Sequence, residues 1–113
     1  MSVREAAART QGSNESAWVV EDERGVVGVV SREALEEDYA RGDGDKLLVT
    51  LLDPLDFPHV HADHSLDVAL ERMGTAQVDV LPVVSRANVR ELLGVVTLRD
   101  VLTAYRLGPK NKV

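Results

Sequence analysis

The chain has 113 residues, enough for one domain-sized body or two half-sized units sharing a core, with no need of staples or metal. It contains no cysteine, which excludes disulfides and cysteine-ligated zinc and makes a reducing, cytoplasmic setting the natural expectation. A net charge of −6 argues against a nucleic-acid partner, whose phosphates demand clustered Lys and Arg, and no apolar run approaches the ~20 residues of a membrane helix.

Ser2 and Glu5 form a capping-box pattern that predicts a helix start, with Val3, Ala6, Ala7 and Thr10 on its apolar face. A polar break at residues 11–14 precedes two valine-rich strands, 17–20 and 26–30, around a charged turn at 21–25. A second helix follows, with Leu35 and Tyr39 inward and Glu36-Glu37-Asp38 as a solvated face. Residues 41–45 open a linker in which 47–52 form a short helical or extended apolar piece, stopped by Asp53-Pro54. The order then recurs. Residues 58–61 read as a lead-in strand, and a helix after Ser65 turns Leu66, Ala69, Leu70 and Met73 inward. Residues 74–77 break it; strands 80–84 and 92–96 flank a turn at 85–91, and a last helix faces inward with Val101, Leu102 and Tyr105. Lys110 and Lys112 read as a frayed tail. Met1 stands directly before the first helix signal, so the chain is expected to begin partway into a longer protein.

Gly28-Val29-Val30-Ser31 and Gly94-Val95-Val96-Thr97 are nearly the same phrase 66 residues apart, and Tyr39 and Tyr105 keep that spacing. The preceding helices are 63 residues apart (Val3 and Leu66), and aligning Val19 with Val83 gives 64, so two extra turn residues are expected in the second copy. One supersecondary unit is used twice. The copies differ at one chemically important place: Thr97 is followed by Asp100, whereas Ser31 is followed by Ala34, with Glu33 about 100° away around the helix.

A strand ending at Val96 and a helix starting near Thr97 bring free backbone N–H groups to one point, which suits an anion. Thr97 can donate to a phosphate oxygen, Asp100 can accept from a sugar hydroxyl, and Arg99 adds a fork suited to phosphate. Thr97-x-x-Asp100 is equally a plain capping box, and both readings stand at this point. His59, His61 and His64 suggest a metal triplet, but no further ligand pattern accompanies them, and none is assigned. No cysteine, lysine-bearing phosphate loop or Ser-His-Asp spacing offers a footing for catalysis, so no enzyme activity is expected.

The doubled unit, with Leu81-Pro82-Val83-Val84, Gly94-Val95-Val96-Thr97-Leu98-Arg99-Asp100 and Val49-Thr50-Leu51-Leu52-Asp53-Pro54, resembles a tandem pair of cystathionine-β-synthase (CBS) domains, a Bateman module. The resemblance implies an α/β (α+β) fold of two β-α-β-β-α units related by a pseudo-twofold, the first lacking its lead-in strand. The corresponding division is 1–41 for the first unit, 42–56 for the linker, 57–108 for the second unit and 109–113 for the tail. It further implies an adenosine nucleotide (ATP, ADP or AMP) held at Thr97, Arg99 and Asp100, with Trp18 stacking on the base or serving as core. Homodimerisation through exposed helices is also implied. Residues 57–73 and 93–106 are similar to the cytoplasmic tails of bacterial CLC-type chloride channels and transporters, which implies an attached membrane transport domain. A ligand-free dimerisation module and a regulatory insert of a soluble enzyme are the alternatives.

Overall fold

The computed structural model describes residues 1–104. In chain order it contains α1 (Val3–Thr10), β1 (Ala17–Asp22), β2 (Gly25–Ser31) and α2 (Arg32–Ala40), then a 3-10 turn at Leu48–Leu51. The second round is β3 (Val60–His61), α3 (Leu66–Ala76), β4 (Val80–Val84), β5 (Leu92–Thr97) and α4 (Leu98–Ala104). The fold is mixed α+β, with β1 and β2 forming a two-stranded antiparallel sheet. The strands β3-β4-β5 form a second sheet, in which β3 runs parallel to β4. The first round has no counterpart of β3 among the described residues.

Hydroxyl residues stand before all four helices, and three of them make a side-chain cap bond. Ser2 Oγ accepts from the Glu5 N–H while the Glu5 carboxylate accepts from the Ser2 N–H, a complete capping box. Ser31 Oγ accepts from the Ala34 N–H at the start of α2. Thr97 and Asp100 exchange the reciprocal pair of bonds at the start of α4. At α3 the Ser65 side chain makes no cap bond, and the helix runs through residues 74–76 rather than breaking there; Gln77, left-handed at φ 57°, closes it.

Each half has its own apolar centre. Val3, Ala6, Val30, Leu35 and Leu48 form the first, and Val60, Ala69, Met73, Leu81 and Val101 the second. A third cluster joins the halves: Val26 of β2, Val84 of β4 and Phe57 of the linker are buried together, with Val19 and Leu92 packed on them. Val26 and Val84 are fully buried, and each such side chain stabilises the fold by roughly 1.5–3 kcal/mol. Polar bonds cross the same place. The Val26 N–H donates to the Arg90 carbonyl at 2.9 Å. Arg90 Nε donates to the Val26 carbonyl at 3.0 Å, and Nη2 donates to Asp22 at 2.7 Å.

The strand registers make the repeat quantitative. Ala17 pairs with Ser31 as Val80 pairs with Thr97, and Val20 pairs with Gly28 as Val83 pairs with Gly94. Both hairpins then shift register at the next pair, leaving Val27 and Leu93 as equivalent bulged residues. The first strands are therefore 63 residues apart (Val20 to Val83), not 64, and the second turn is longer by three residues rather than two. The first turn is also tighter than residues 21–25, because pairing continues to Asp22 and Gly25.

Several expected faces are corrected. Tyr39 is 51% exposed; Leu35 alone of the expected pair turns inward, and Asp38, read as part of a solvated face, is buried and paired with Arg41. A 100° step per residue puts Tyr39 about 40° to one side of Leu35 and Asp38 about 60° to the other, and α2 is seated on the first core with the Ala34 and Asp38 side inward. Leu66 and Leu70 are partly exposed on α3, where Ala69 and Met73 hold the core. The lead-in strand pairs only at Val60 and His61, opposite Val83 and Val84. Pro82, one residue earlier on β4, has no N–H to offer a longer ladder. Tyr105, Lys110 and Lys112 lie outside the described residues.

Gly25 is the backbone requirement of the junction. Its φ is +120°, and a Cβ there would meet the Arg90 carbonyl oxygen at 2.0 Å. Gly94 has open space instead. Gly25→Ala is expected to cost about 3 kcal/mol in urea denaturation, whereas Gly94→Ala stays within about 1 kcal/mol. Equal costs at the two sites would contradict the close approach of the turns.

Candidate functional site

The junction of β5 and α4 gathers three of the four predicted site residues. The Thr97 N–H donates to Asp100 Oδ2 at 3.0 Å, and the Asp100 N–H donates to Thr97 Oγ1 at 3.1 Å. Arg99 and Asp100 are exposed and Thr97 is half-buried, so hydroxyl, carboxylate and guanidinium stand together at the surface. The main-chain bond from Thr97, with its hydroxyl next, holds the Asp100 carboxyl below its ordinary value, and Arg99 adds to the effect. The junction is fixed from below by the Leu98 N–H donating to the Asp79 carbonyl and by Val101, which is fully buried in the second core.

Trp18 sits elsewhere. It lies on β1, packed against the first core, with the Arg32 guanidinium 5.2 Å from its ring centroid. Arg32 also donates to the carbonyls of Thr10, Ser13 and Glu15, so it ties the segment between α1 and β1 beneath the indole. The sequence reading did not find this role for Arg32, because its partners are backbone carbonyls that carry no residue signature. At the first junction Ser31 caps α2 as Thr97 caps α4, but Ala34 brings no carboxylate to complete the pair.

A second group of polar residues surrounds a cleft of about 450 Å³ lined by Phe57, Pro58, His59, His61, His64, Arg72 and Arg86. Rings meet in series from Phe57 through His59 and His61 to His64 in tilted and edge-on contacts, with centroids 5.1, 5.1 and 5.3 Å apart. Among the described residues no group of three His, Asp or Glu side chains is arranged to hold a metal ion. Arg72 and Arg86 were not legible as neighbours of the histidines, since they arrive from α3 and from the turn after β4. Among the described residues no helix is long and apolar enough to cross a membrane.

Two α-β-β-α rounds with matching hairpin registers, and a hydroxyl-x-x-carboxylate pair where the last strand meets the last helix, define the fold of a CBS pair. Residues 52–107 match the family model for the CBS domain, and the chain has the fold of a CBS pair. No curated protein matches the sequence. Solved structures match its fold closely. The CBS domain pair of protein MJ0100, in complex with 5-methylthioadenosine and S-adenosyl-L-methionine, is 22% identical with a TM-score of 0.69; the match covers 93% of this chain and 82% of that one. A CBS domain protein from Pyrobaculum aerophilum complexed with AMP is 21% identical, TM-score 0.69, over 95% and 86% of the two chains. The cytosolic domain of the Mg2+ channel MgtE in complex with ATP is 24% identical, TM-score 0.66, over 92% of this chain and 42% of that one.

Removing the cap hydroxyl by Thr97→Ala is expected to cost about 1 kcal/mol in urea denaturation at neutral pH. Glu5, Asp22, Asp63 and Asp100 all titrate below their ordinary values. Their ionised forms therefore stabilise the fold above about pH 4, and that stability is lost as pH falls through the lowered values. Asp100→Asn should flatten part of this acid slope. A slope unchanged in that variant would show that the Thr97–Asp100 bonds are not formed in solution.

Proposed function

We propose that this chain is a regulatory CBS-pair module that binds an adenosine nucleotide at the β5–α4 junction and passes the binding signal to an attached membrane transport domain. The observation that carries the reading is the paired Thr97 hydroxyl and Asp100 carboxylate, surface-placed beside Arg99, in a fold whose solved neighbours include complexes with AMP, ATP and S-adenosyl-L-methionine. Asp100 would accept from the ribose hydroxyls, and Thr97 with Arg99 would hold the phosphate. Trp18 would serve from the opposite half, after Arg32 moves off its face. The first junction, with Ala34 in place of a carboxylate, would not bind, so one nucleotide per chain is the expected stoichiometry.

The proposed division is 1–41 for the first unit, 42–56 for the linker, 57–108 for the second unit and 109–113 for the tail. Homodimerisation would use the outward helix faces, where Tyr39, Leu66 and Leu70 are partly exposed. The host is proposed to be a chloride channel or transporter on the resemblance of residues 57–73 and 93–106. The Mg2+ channel among the structural neighbours supports a transport host in general and no particular ion. The module is read as non-catalytic and cytoplasmic. Binding would regulate the host only by favouring one arrangement of the two units, or of two modules.

One observation favours a purely structural module: Thr97 Oγ1 and Asp100 Oδ2 already satisfy each other's backbone N–H groups. Calorimetry separates the two. At least one of ATP, ADP and AMP is expected to give saturable heat at one site per chain, weakened about tenfold or more by Asp100→Ala. No heat from any of the three, on folded protein, would leave the structural module standing.

A further inference from the structure

We propose that the cleft between β3 and α3 is a binding site for a small soluble oxyanion of the phosphate or sulfate class, separate from the β5–α4 junction. Four pieces of chain build it: His59 and His61 from β3 and the residues before it, His64 from the following loop, Arg72 from α3, and Arg86 from the turn after β4. Against a net charge of −6 for the whole chain, this cleft carries two guanidinium groups and three imidazoles, with Asp63 as the acidic residue paired into it. Because β4 and β5 are antiparallel, with Val80 opposite Thr97 and Val84 opposite Leu92, the His61 and Arg86 end of the sheet is the end away from Thr97 and Asp100.

The hydrogen bonds hold the groups in place without using them up. Arg72 Nη1 donates to the His59 carbonyl at 2.7 Å, which anchors the side chain and leaves the rest of its planar fork to the cleft. Arg86 Nε donates to both oxygens of Asp63 at 2.9 and 3.1 Å. His59 Nδ1 is 2.8 Å from the Phe57 carbonyl and His61 Nδ1 is 2.9 Å from the Val84 carbonyl. A carbonyl only accepts, so both rings carry their proton on Nδ1 and leave Nε2 bare. A second proton at Nε2 turns each ring into a cation and a donor without breaking its anchor.

His64 behaves oppositely. Its Nδ1 accepts from the His61 N–H at 3.0 Å, so a second proton there would break a backbone contact. Burial, then the charges of Arg72 and Arg86, push its titration below the ordinary histidine value against the pull of Asp63. His64 is the spacer, and His59 and His61 are the rings whose Nε2 atoms stay unengaged, faced by Arg72 from α3 and by His64, Asp63 and Arg86 from the loop and turn. Arg72 and Arg86 repel a metal ion from the same space, which leaves it to an anion.

Sulfate is the probe, since it stays a dianion between about pH 6 and pH 8, where histidine changes charge. Sulfate titrated into the full chain should move the ring signals of His59 and His61 and the side-chain signals of Arg72 and Arg86 saturably, at constant ionic strength in chloride. Arg86→Gln and Arg72→Gln should each weaken the affinity about tenfold. Arg86 holds no backbone group, so its variant keeps the test valid if Arg72→Gln unfolds. Shifts that do not saturate, that centre on Thr97 instead, or that survive Arg86→Gln would overturn the proposal. Pelleting of the chain with phosphatidylglycerol vesicles, lost in Arg86→Gln, would overturn the soluble ligand in favour of a lipid headgroup. Sulfate has neither base nor ribose, so failure here leaves the nucleotide reading untouched, and the converse holds.

Discussion

The seam between the two hairpins is the constraint on which the rest of the molecule depends. Neither half presents a closed core: β1 and β2 make a two-stranded sheet, which is marginal alone, and β3 contributes only two residues to its partner. Val26 and Val84 become fully buried only because each half covers the other, with Phe57 closing the gap from the linker. Arg90 then fixes the separation, because its carbonyl and guanidinium engage both polar groups of Val26. The glycine before Val26 is what lets a backbone approach that closely.

Much of this was legible in the sequence. The Gly-Val-Val-hydroxyl phrase repeats, and hydroxyl residues stand one turn before apolar stripes, so helices, strands and their order could be read from periodicity and caps. What could not be read was depth. Asp38 and Tyr39 are adjacent, and their burial is decided by where α2 lies on the first core rather than by their own polarity. The offset error arose for a related reason, since Val19 and Val20 are both apolar and pattern cannot choose between them; backbone pairing can. Three of the four predicted site residues share one motif, so their neighbourhood could be read from spacing alone. The His–Arg cleft could not, because its cations come from separate elements and only folding brings them together.

The two junctions show how a duplicated unit diverges in chemistry while its geometry is kept. Ser31 and Thr97 occupy equivalent positions opposite Ala17 and Val80, and each hydroxyl accepts from the N–H three residues on. Capping is therefore the property held in common. The carboxylate is extra, and only the second half has it. The unequal environment of Gly28 and Gly94 follows the same division: a Cβ at Gly28 would meet the Leu52 side chain of the linker at 3.2 Å, while one at Gly94 would have open space, and the neighbours Leu93 and Val95 are exposed.

The matched irregularity at Val27 and Leu93 has a mechanical meaning. On β2, Val30 belongs to the first core and Val26 to the seam; on β5, Val96 belongs to the second core and Leu92 to the seam. The unpaired residue falls between them each time, so every hairpin is creased into a portion anchored in its own half and a portion gripped jointly. The Thr97 end of β5 is thus tied to the neighbouring half through one strand and one crease, and the same crease stands at the matching place in the first hairpin.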